Sequence, residues 1–105
     1  MKRALQAILI AGLDSKQQVL DGTKKITIRE GHRDYSNGPV MLGCHILNWA
    51  TMRTITSVRH TIIKEVTKEE MEADGYSSME KMIIDLSRYY PSINKFSCVT
   101  VIKWE

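Results

Sequence analysis

A strand pattern that follows a glycine, at residues 22–30, constrains the fold of this chain more than any other feature of the sequence. Successive side chains of a β-strand point to opposite faces. Ile26 and Ile28 therefore share one face, which we expect to be the core face. Thr27 and Arg29 share the other face, about 7 Å apart by the rise of a strand. The pattern predicts a strand with one buried side and one side that carries a hydroxyl and a guanidinium.

The polar face of this strand has two interpretations. In the first it is the solvated basic face of a half-buried strand. In the second it is a site, in which Thr27 is a nucleophile, Lys24 is its base, and Arg29 holds an anion or polarises a carbonyl. Strict alternation would turn Lys24 toward the isoleucine face. Lys24 and Thr27 can therefore meet only if Lys24 lies in the turn before the strand.

The length and charge of the chain indicate a single small domain over residues 1–105. A hydrophobic content of 43% suffices for one core and argues against disorder. The net charge of +3 is compatible with a phosphate-bearing partner, but the basic residues are dispersed and form no polybasic run. No apolar run reaches the length of a transmembrane helix, so we expect no membrane partner.

The first residues resemble a signal peptide only superficially. A basic start at residues 1–3 precedes an apolar segment, but Gln6 interrupts that segment and Asp14 follows it. We interpret the segment as a strand and expect a cytoplasmic protein.

The cysteines and histidines indicate neither a disulfide scaffold nor a metal site. Cys44 and Cys98 are too few to staple a secreted domain and lack the paired spacing of a zinc site. His32, His45 and His60 have no spacing that would bring two imidazoles together on a helix. We expect no metal and no cofactor.

Hydrophobic periodicity and turn residues predict the order strand, helix, strand, strand, strand, helix pair, strand. The predicted strands cover residues 4–11, 25–30, 40–47, 51–66 and 95–104. The fourth of these is one bent strand or two. Asp14 or Ser15 is predicted to cap the first helix, which runs through Leu20 with Val19 and Leu20 inward, and Gly22 to end it.

Two capping boxes, at residues 67–70 and 77–80, predict the helix pair. The first helix should run to about residue 73 and break at Gly75. The second should end at Tyr90-Pro91, because the residue before a proline avoids helical geometry. Its apolar stripe comprises Met79, Met82, Ile83 and Leu86.

Alternation predicts which residues of the last two strands share a face. In the fourth strand one predicted face carries Thr54, Thr56 and Val58, and the other carries Ile55, Ser57 and Arg59. In the final strand one face carries Phe96, Cys98, Ile102 and Trp104, and the other carries Ser97, Val99, Val101 and Lys103. Several strands, few helices and no βαβ rhythm predict an α+β fold, namely a small, mostly antiparallel β-barrel with helices over one opening.

The pattern Gly22-x-Lys24-x-x-Thr27-x-Arg29 resembles the signature of the ASCH domain, the activating signal cointegrator homology family. That family belongs to the PUA-like β-barrels, so the resemblance implies such a barrel here. The helix that ends at Gly22, the Thr67 capping box and the Tyr90-Pro91 pair before a final strand agree with it, and the resemblance covers nearly the whole chain.

Within that family the chain is most similar to the small bacterial N4-acetylcytidine amidohydrolases. The resemblance implies that Thr27 is the nucleophile, Lys24 the base and Asp74 the acid that protonates the departing amine. The chain departs from the family pattern at two positions. Asp74 stands where the family has glutamate, and Lys25 stands where it often has threonine. Glu70 or Glu72, on the same predicted helix, could take the place of the acid.

The implied substrate is an N4-acylated cytidine or cytosine, a modified nucleoside, free or in RNA. Its predicted binding residues are Arg29, Lys25, Arg33 and Tyr35, and we expect a monomer. A non-catalytic RNA-binding or ribonuclease-like ASCH module is the alternative, in which basic residues contact phosphates and Tyr35 or Trp49 stacks a base. A partner-binding module with a vestigial pocket is a third interpretation, which the departure at Asp74 favours.

Overall fold

The computed structural model describes residues 6–10, 13–44 and 48–105. This part of the chain contains five strands and three α-helices, in the order β-α-β-β-β-α-α-β. The strands are β1 (Gln6–Leu9), β2 (Ile26–Glu30), β3 (Gly38–Cys44), β4 (Trp49–Ile62) and β5 (Cys98–Trp104). The helices are α1 (Leu13–Asp21), α2 (Lys68–Ala73) and α3 (Met79–Leu86), with a 3₁₀ turn at Ile63–Glu65 before α2.

The strands form one curled, mixed sheet in the order β1-β3-β4-β5-β2, which is a half-barrel rather than a closed barrel. β1 pairs with β3 in parallel, and the other described pairings are antiparallel. The α+β class and the predominance of antiparallel pairing are as predicted. Because the sheet does not close, β1 and β2 remain as its two edges.

Two hydrophobic cores lie on the two faces of this sheet, and we name each after the helix that packs into it. The α3 core comprises Ile26, Ile28, Ile63, Val66, Met82, Leu86, Ile93, Val99 and Val101. The α1 core comprises Ile8, Ile10, Val19, Val40, Leu42, Ile55, Ile102 and Trp104. β5 supplies both cores, because its alternate side chains point to opposite faces. Ile26 and Ile28 face a core as predicted.

Phe96 is 62% exposed and does not share a strand face with Ile102 and Trp104 as predicted. β5 begins at Cys98, three residues later than the predicted start at residue 95. Phe96 therefore lies in the preceding turn, where strand geometry does not direct it inward. Cys98 is exposed as well, while Cys44 is buried in β3, and both are free thiols.

Helix α1 begins at Leu13, so Asp14 and Ser15 lie within the helix, and the prediction that one of them caps it is wrong. The helix ends before Gly22, whose φ of +83° is the left-handed conformation that glycine adopts without strain. Val19 is fully buried, but Leu20 is 43% exposed. Successive helical residues lie about 100° apart around the axis, so one narrow buried face does not hold both.

The segment predicted as one bent strand or two is the single strand β4 followed by the 3₁₀ turn. A β-bulge between Ile55 and Ser57 adds one residue to β4 opposite β5. Ile55 and Val58 consequently pack into the same α1 core, although strict alternation predicted opposite faces. The extra residue at the bulge reverses the alternation that follows it.

The capping box of α2 is confirmed, because the Thr67 hydroxyl accepts from the Glu70 amide and the Glu70 carboxylate accepts from the Thr67 amide. The second predicted box is wrong. The N-cap of α3 is Ser78, one residue later, and its hydroxyl accepts from the amide of Lys81. Helix α3 also ends at Leu86 rather than at Tyr90.

Within the described residues, β1 ends at Leu9, one residue before the described part of its predicted range ends, and β3 begins at Gly38, two residues earlier than predicted. Residues 4, 5, 11 and 45–47 of the two predicted strands lie outside the described part of the chain. In that described part, none of the helices has the length and apolar character needed to cross a lipid bilayer.

The Glu70 carboxylate is shared between the cap of α2 and the Arg59 guanidinium of β4. Arg59 Nε donates to Glu70 Oε2 at 3.1 Å, and Arg59 Nη2 donates to Glu70 Oε1. The Thr67 amide donates to the same Oε1 at 2.9 Å. Burial of Glu70 by itself raises its pKa, but the bonds from Arg59 and Thr67 outweigh burial and hold the pKa below its usual range.

Met82→Ala should destabilise the protein by about 2–5 kcal/mol, because it leaves a cavity in the α3 core. Met82 has no exposed surface, whereas Ile84 on the same helix is 63% exposed. Ile84→Ala is therefore the matched control and should change stability little. Urea unfolding followed by circular dichroism measures both, and equal losses would contradict the packing of α3 described above.

Glu70→Gln should lower stability at neutral pH, and its difference from wild type should disappear in acid. The unfolded chain binds a proton on Glu70 at higher pH than the folded chain does, so the contribution of the carboxylate is lost as pH falls through the folded-state pKa. Urea unfolding at a series of pH values tests this. Glu69→Gln, an exposed substitution on the same helix, is the control, and a difference that persists in acid would contradict the assignment.

Candidate active site

A cavity of about 270 Å³ lies at the gap between the two edges of the half-barrel. Its wall combines residues of both edge strands, α1, α3 and the segment that joins α2 to α3. The lining residues are Leu9, Ile10, Ser15, Gln18, Lys24, Thr27, Ile28, Arg29, Asp74, Tyr76, Asp85, Leu86, Tyr89 and Tyr90. Four predicted functional residues therefore meet here, namely Lys24, Thr27, Arg29 and Asp74.

Lys24 reaches the cavity from the turn between α1 and β2. Gly22 ends the helix in the left-handed conformation, and the amide of Lys24 donates to the Gln18 carbonyl at 2.9 Å. β2 begins only at Ile26, so the alternation of the strand does not yet apply to Lys24. For this reason Lys24 and Thr27 line the same cavity.

Asp74 reaches the cavity from the C-cap of α2. The amide of Gly75 donates to Glu72 O at 3.0 Å and that of Tyr76 donates to Met71 O at 2.8 Å, which is the Schellman arrangement. Gly75 takes the required positive φ of +88°. This tight helix end holds both Asp74 and Tyr76 on the cavity wall.

Lys24 and Asp74 form a buried ion pair across the cavity. Lys24 Nζ donates to Asp74 Oδ1, and the two side chains are only 13% and 6% exposed. Burial raises the pKa of Asp74 above its usual value and outweighs the opposing effects of Lys24 and Arg29. Burial thus disfavours the ionised form of the Asp74 carboxyl, while the neighbouring Lys24 ammonium favours it.

Thr27 is almost fully buried beside this pair, on the face of β2 opposite Ile26 and Ile28. Its Oγ1 accepts a hydrogen bond from Arg29 Nε at 3.2 Å. Arg29 Nη2 donates to the Leu9 carbonyl at 2.5 Å, so one guanidinium links the two edges of the sheet. Among the hydrogen bonds between described residues, none joins Lys24 to Thr27.

Three of the predicted binding residues lie elsewhere. Lys25 is exposed, and Arg33 Nε donates to the Glu30 carbonyl at 2.8 Å. Tyr35 packs against the α1 core, and its hydroxyl lies 3.4 Å from the Ala7 carbonyl oxygen. None of the three is among the described residues that line the cavity.

The alternative acids are also occupied elsewhere. Glu70 binds Arg59 and caps α2, and the exposed Glu72 lies 3.8 Å from Lys68. Of the described acidic residues, Asp74 and Asp85 are those that line the cavity.

Sequence reasoning missed the far wall of the cavity, which is formed by Tyr76, Asp85, Tyr89 and Tyr90. The Tyr76 hydroxyl donates to Asp85 Oδ2 at 2.6 Å. Burial, aided by this bond, raises the pKa of Tyr76, so the phenol keeps its proton. The Gly75 helix end was a usable signal for Tyr76, because a Schellman end directs the residue after the glycine back toward its helix.

Three kinds of reactive side chain line this cavity. A hydroxyl, an amine and a carboxyl group with a raised pKa line one cavity, and these are the groups of a nucleophile, a base and an acid. Among the described residues no group of three or more histidine, cysteine, aspartate or glutamate side chains converges as metal ligands would.

No protein-family model, curated protein or solved structure matches this chain. The resemblance to the ASCH family therefore rests on the sequence pattern alone and stays a prediction.

Lys24→Met should raise the pKa of Asp74 further, because the substitution removes the neighbouring ammonium that lowers it. A carbon-detected NMR titration of the Asp74 carboxyl measures the change. Lys25→Met removes an adjacent but exposed lysine and should leave the titration unchanged. An Asp74 pKa that falls in Lys24→Met would contradict the ion pair.

Proposed function

We propose that this protein is an amidohydrolase that removes the acyl group from an N4-acylated cytidine or cytosine. The observation that supports the proposal is that Thr27 lines the same cavity as the buried Lys24–Asp74 pair. With this function we also propose membership of the ASCH family and its PUA-like fold, of which the half-barrel would be an open form.

In the proposed reaction a proton first moves from Lys24 to Asp74, which leaves Lys24 as an amine. Burial favours this form, since it raises the pKa of Asp74. Lys24 takes the Thr27 proton while Oγ1 forms a bond to the carbonyl carbon. The new ammonium then lies close to the negative charge that develops on the carbonyl oxygen.

In the second half of the reaction the carbon–nitrogen bond of the amide breaks. Asp74 gives its proton to the departing exocyclic amine, and the acyl group remains as an ester on Thr27. Water then attacks the ester carbon and gives one proton to the Asp74 carboxylate, while the bond to Thr27 Oγ1 breaks and Lys24 returns its proton to Oγ1. The products are the carboxylic acid and the unmodified cytidine or cytosine.

The far wall of the cavity favours a planar ring as ligand. Tyr76, Tyr89 and Tyr90 present aromatic surface, and the Asp85 carboxylate adds an acceptor. Ligand cavities typically hold about 300–1,000 Å³, so a cavity of about 270 Å³ suits a single base or nucleoside better than a stretch of polynucleotide.

The RNA-binding alternative has less support. It needs a surface on which basic and aromatic side chains lie together. Arg33 and Tyr35 instead bind backbone carbonyls of Glu30 and Ala7, and Arg59 binds Glu70.

The purified protein should release acetate from N4-acetylcytidine, and Thr27→Val and Lys24→Met should each lower kcat/KM at least about 100-fold, the usual contribution of a positioned base or nucleophile. Thr27→Val keeps the shape of the buried side chain. Thr23→Val and Lys25→Met, at neighbouring exposed positions, are matched controls and should retain activity. Release of cytidine and acetate is measured by chromatography.

Wild-type protein that releases no acetate from any N4-acylated cytosine or cytidine would contradict the proposed function. If the same protein instead bound RNA with an affinity that falls steeply with salt, the RNA-binding alternative would replace it.

A further inference from the structure

Two strands of this protein carry the same arrangement of a threonine and an arginine two residues later. On β2, Arg29 donates to the Thr27 hydroxyl and to the Leu9 carbonyl of β1. On β4, Arg53 donates to the Thr51 hydroxyl at 2.9 Å and to the Val19 carbonyl of α1 at 3.2 Å. We call each arrangement a Thr-x-Arg clamp. In both, one guanidinium joins a hydroxyl on its own strand to the backbone of another element.

The two clamps differ in their surroundings. Thr27 and Arg29 line the cavity of the candidate active site, whereas Thr51 and Arg53 do not. The β2 clamp also spans the gap between the two edges of the sheet, because Leu9 belongs to β1. The same local chemistry therefore occurs once within the site and once outside it.

We propose that Arg29 is a positioning residue, which fixes the Thr27 hydroxyl and holds the two edges of the half-barrel together around it. The inference rests on the proposed function of Thr27. It gives Arg29 a role different from the substrate contact expected from the sequence, since Nε donates to Thr27 and Nη2 donates to Leu9.

The geometry of the guanidinium explains how it positions the hydroxyl. Its donors form a rigid, planar fork, and the branched threonine side chain is stiff. A bond from Arg29 Nε occupies one lone pair of Thr27 Oγ1, so the hydroxyl proton must point away from Arg29. The Leu9 carbonyl anchors the other end of the fork. Loss of either contact would free the nucleophile to rotate.

The decisive variants are Arg29→Met and Arg29→Lys, with Arg53→Met and Arg53→Lys as matched controls. Both Arg29 variants should lower kcat by about 100-fold, the cost typical of displacing a reacting group by about 1 Å, while KM stays close to wild type. The lysine variant should not recover activity, because a single ammonium lacks the fork that reaches both partners. Both Arg53 variants should keep wild-type kcat even where their melting temperatures fall.

Three results would overturn the proposal. Near wild-type kcat in Arg29→Lys would show that a positive charge alone suffices. A raised KM with unchanged kcat in Arg29→Met would make Arg29 a substrate-binding residue. An equal loss of kcat in the Arg53 variants would show that the effect is only structural.

A second measurement tests the positioning role of Arg29 independently of the proposed substrate. p-Nitrophenyl acetate acylates an activated hydroxyl: the Thr27 oxygen bonds to the acetyl carbon, p-nitrophenolate leaves, and the hydroxyl proton passes to Lys24. Peptide mass spectrometry should detect acetyl-Thr27 in wild type and in Arg53→Met, and much less in Arg29→Met. This result would support positioning even if N4-acetylcytidine is not hydrolysed. Equal acetylation of Thr27 in wild type and Arg29→Met, or none in wild type, would overturn it.

A double-mutant cycle checks the contact itself in the absence of any substrate. Thr27→Val and Arg29→Met should lower the melting temperature non-additively, because each removes the same hydrogen bond. Thr51→Val and Arg53→Met form the matched cycle and should behave alike. If the effects were additive in the Thr27–Arg29 cycle but not in the Thr51–Arg53 cycle, the β2 clamp would not form in solution.

Discussion

The buried Lys24–Asp74 pair is the interaction on which the candidate site depends. Removing two charges from water is costly unless each satisfies the other, and this pair is almost fully enclosed. Two helix ends hold the two charged groups in contact, which offsets the desolvation cost. Lys24 follows the Gly22 turn after α1, and Asp74 is the C-cap of α2 before Gly75. The same enclosure raises the pKa of Asp74, which is the direction that the proposed role as an acid requires.

The cavity lined by this pair lies where the sheet fails to close. Because β1 and β2 do not hydrogen-bond to each other, a gap remains in which side chains, rather than backbone, connect the two edges. Arg29 makes such a connection to the Leu9 carbonyl. A closed barrel would use those backbone groups for strand pairing, and the space beside Thr27 would be lost.

Local features were predicted well where neighbouring residues decide them. The alternation of Ile26 to Arg29, the capping box at Thr67 and the helix end at Gly75 each depend on a few adjacent side chains. The predicted strand faces and helix boundaries were wrong where a shift of one residue along the chain changes them. The bulge in β4 brought Ile55 and Val58 to the same side, and the N-cap of α3 is one residue later than its pattern suggested. Such shifts follow from pairing with β5 and packing, which no local window contains.

The sequence alone determined that a basic turn leads into a strand with Thr27 and Arg29 on one face, because strand alternation is a local property. Only the tertiary structure decided that Asp74, fifty residues from Lys24 along the chain, is its partner. It likewise decided that Lys25, Arg33 and Tyr35 do not line the cavity. Tyr76, Tyr89 and Tyr90 line it instead. The reason is physical: burial and the order of strands in the sheet, rather than spacing along the chain, determine which polar groups share a low-dielectric space.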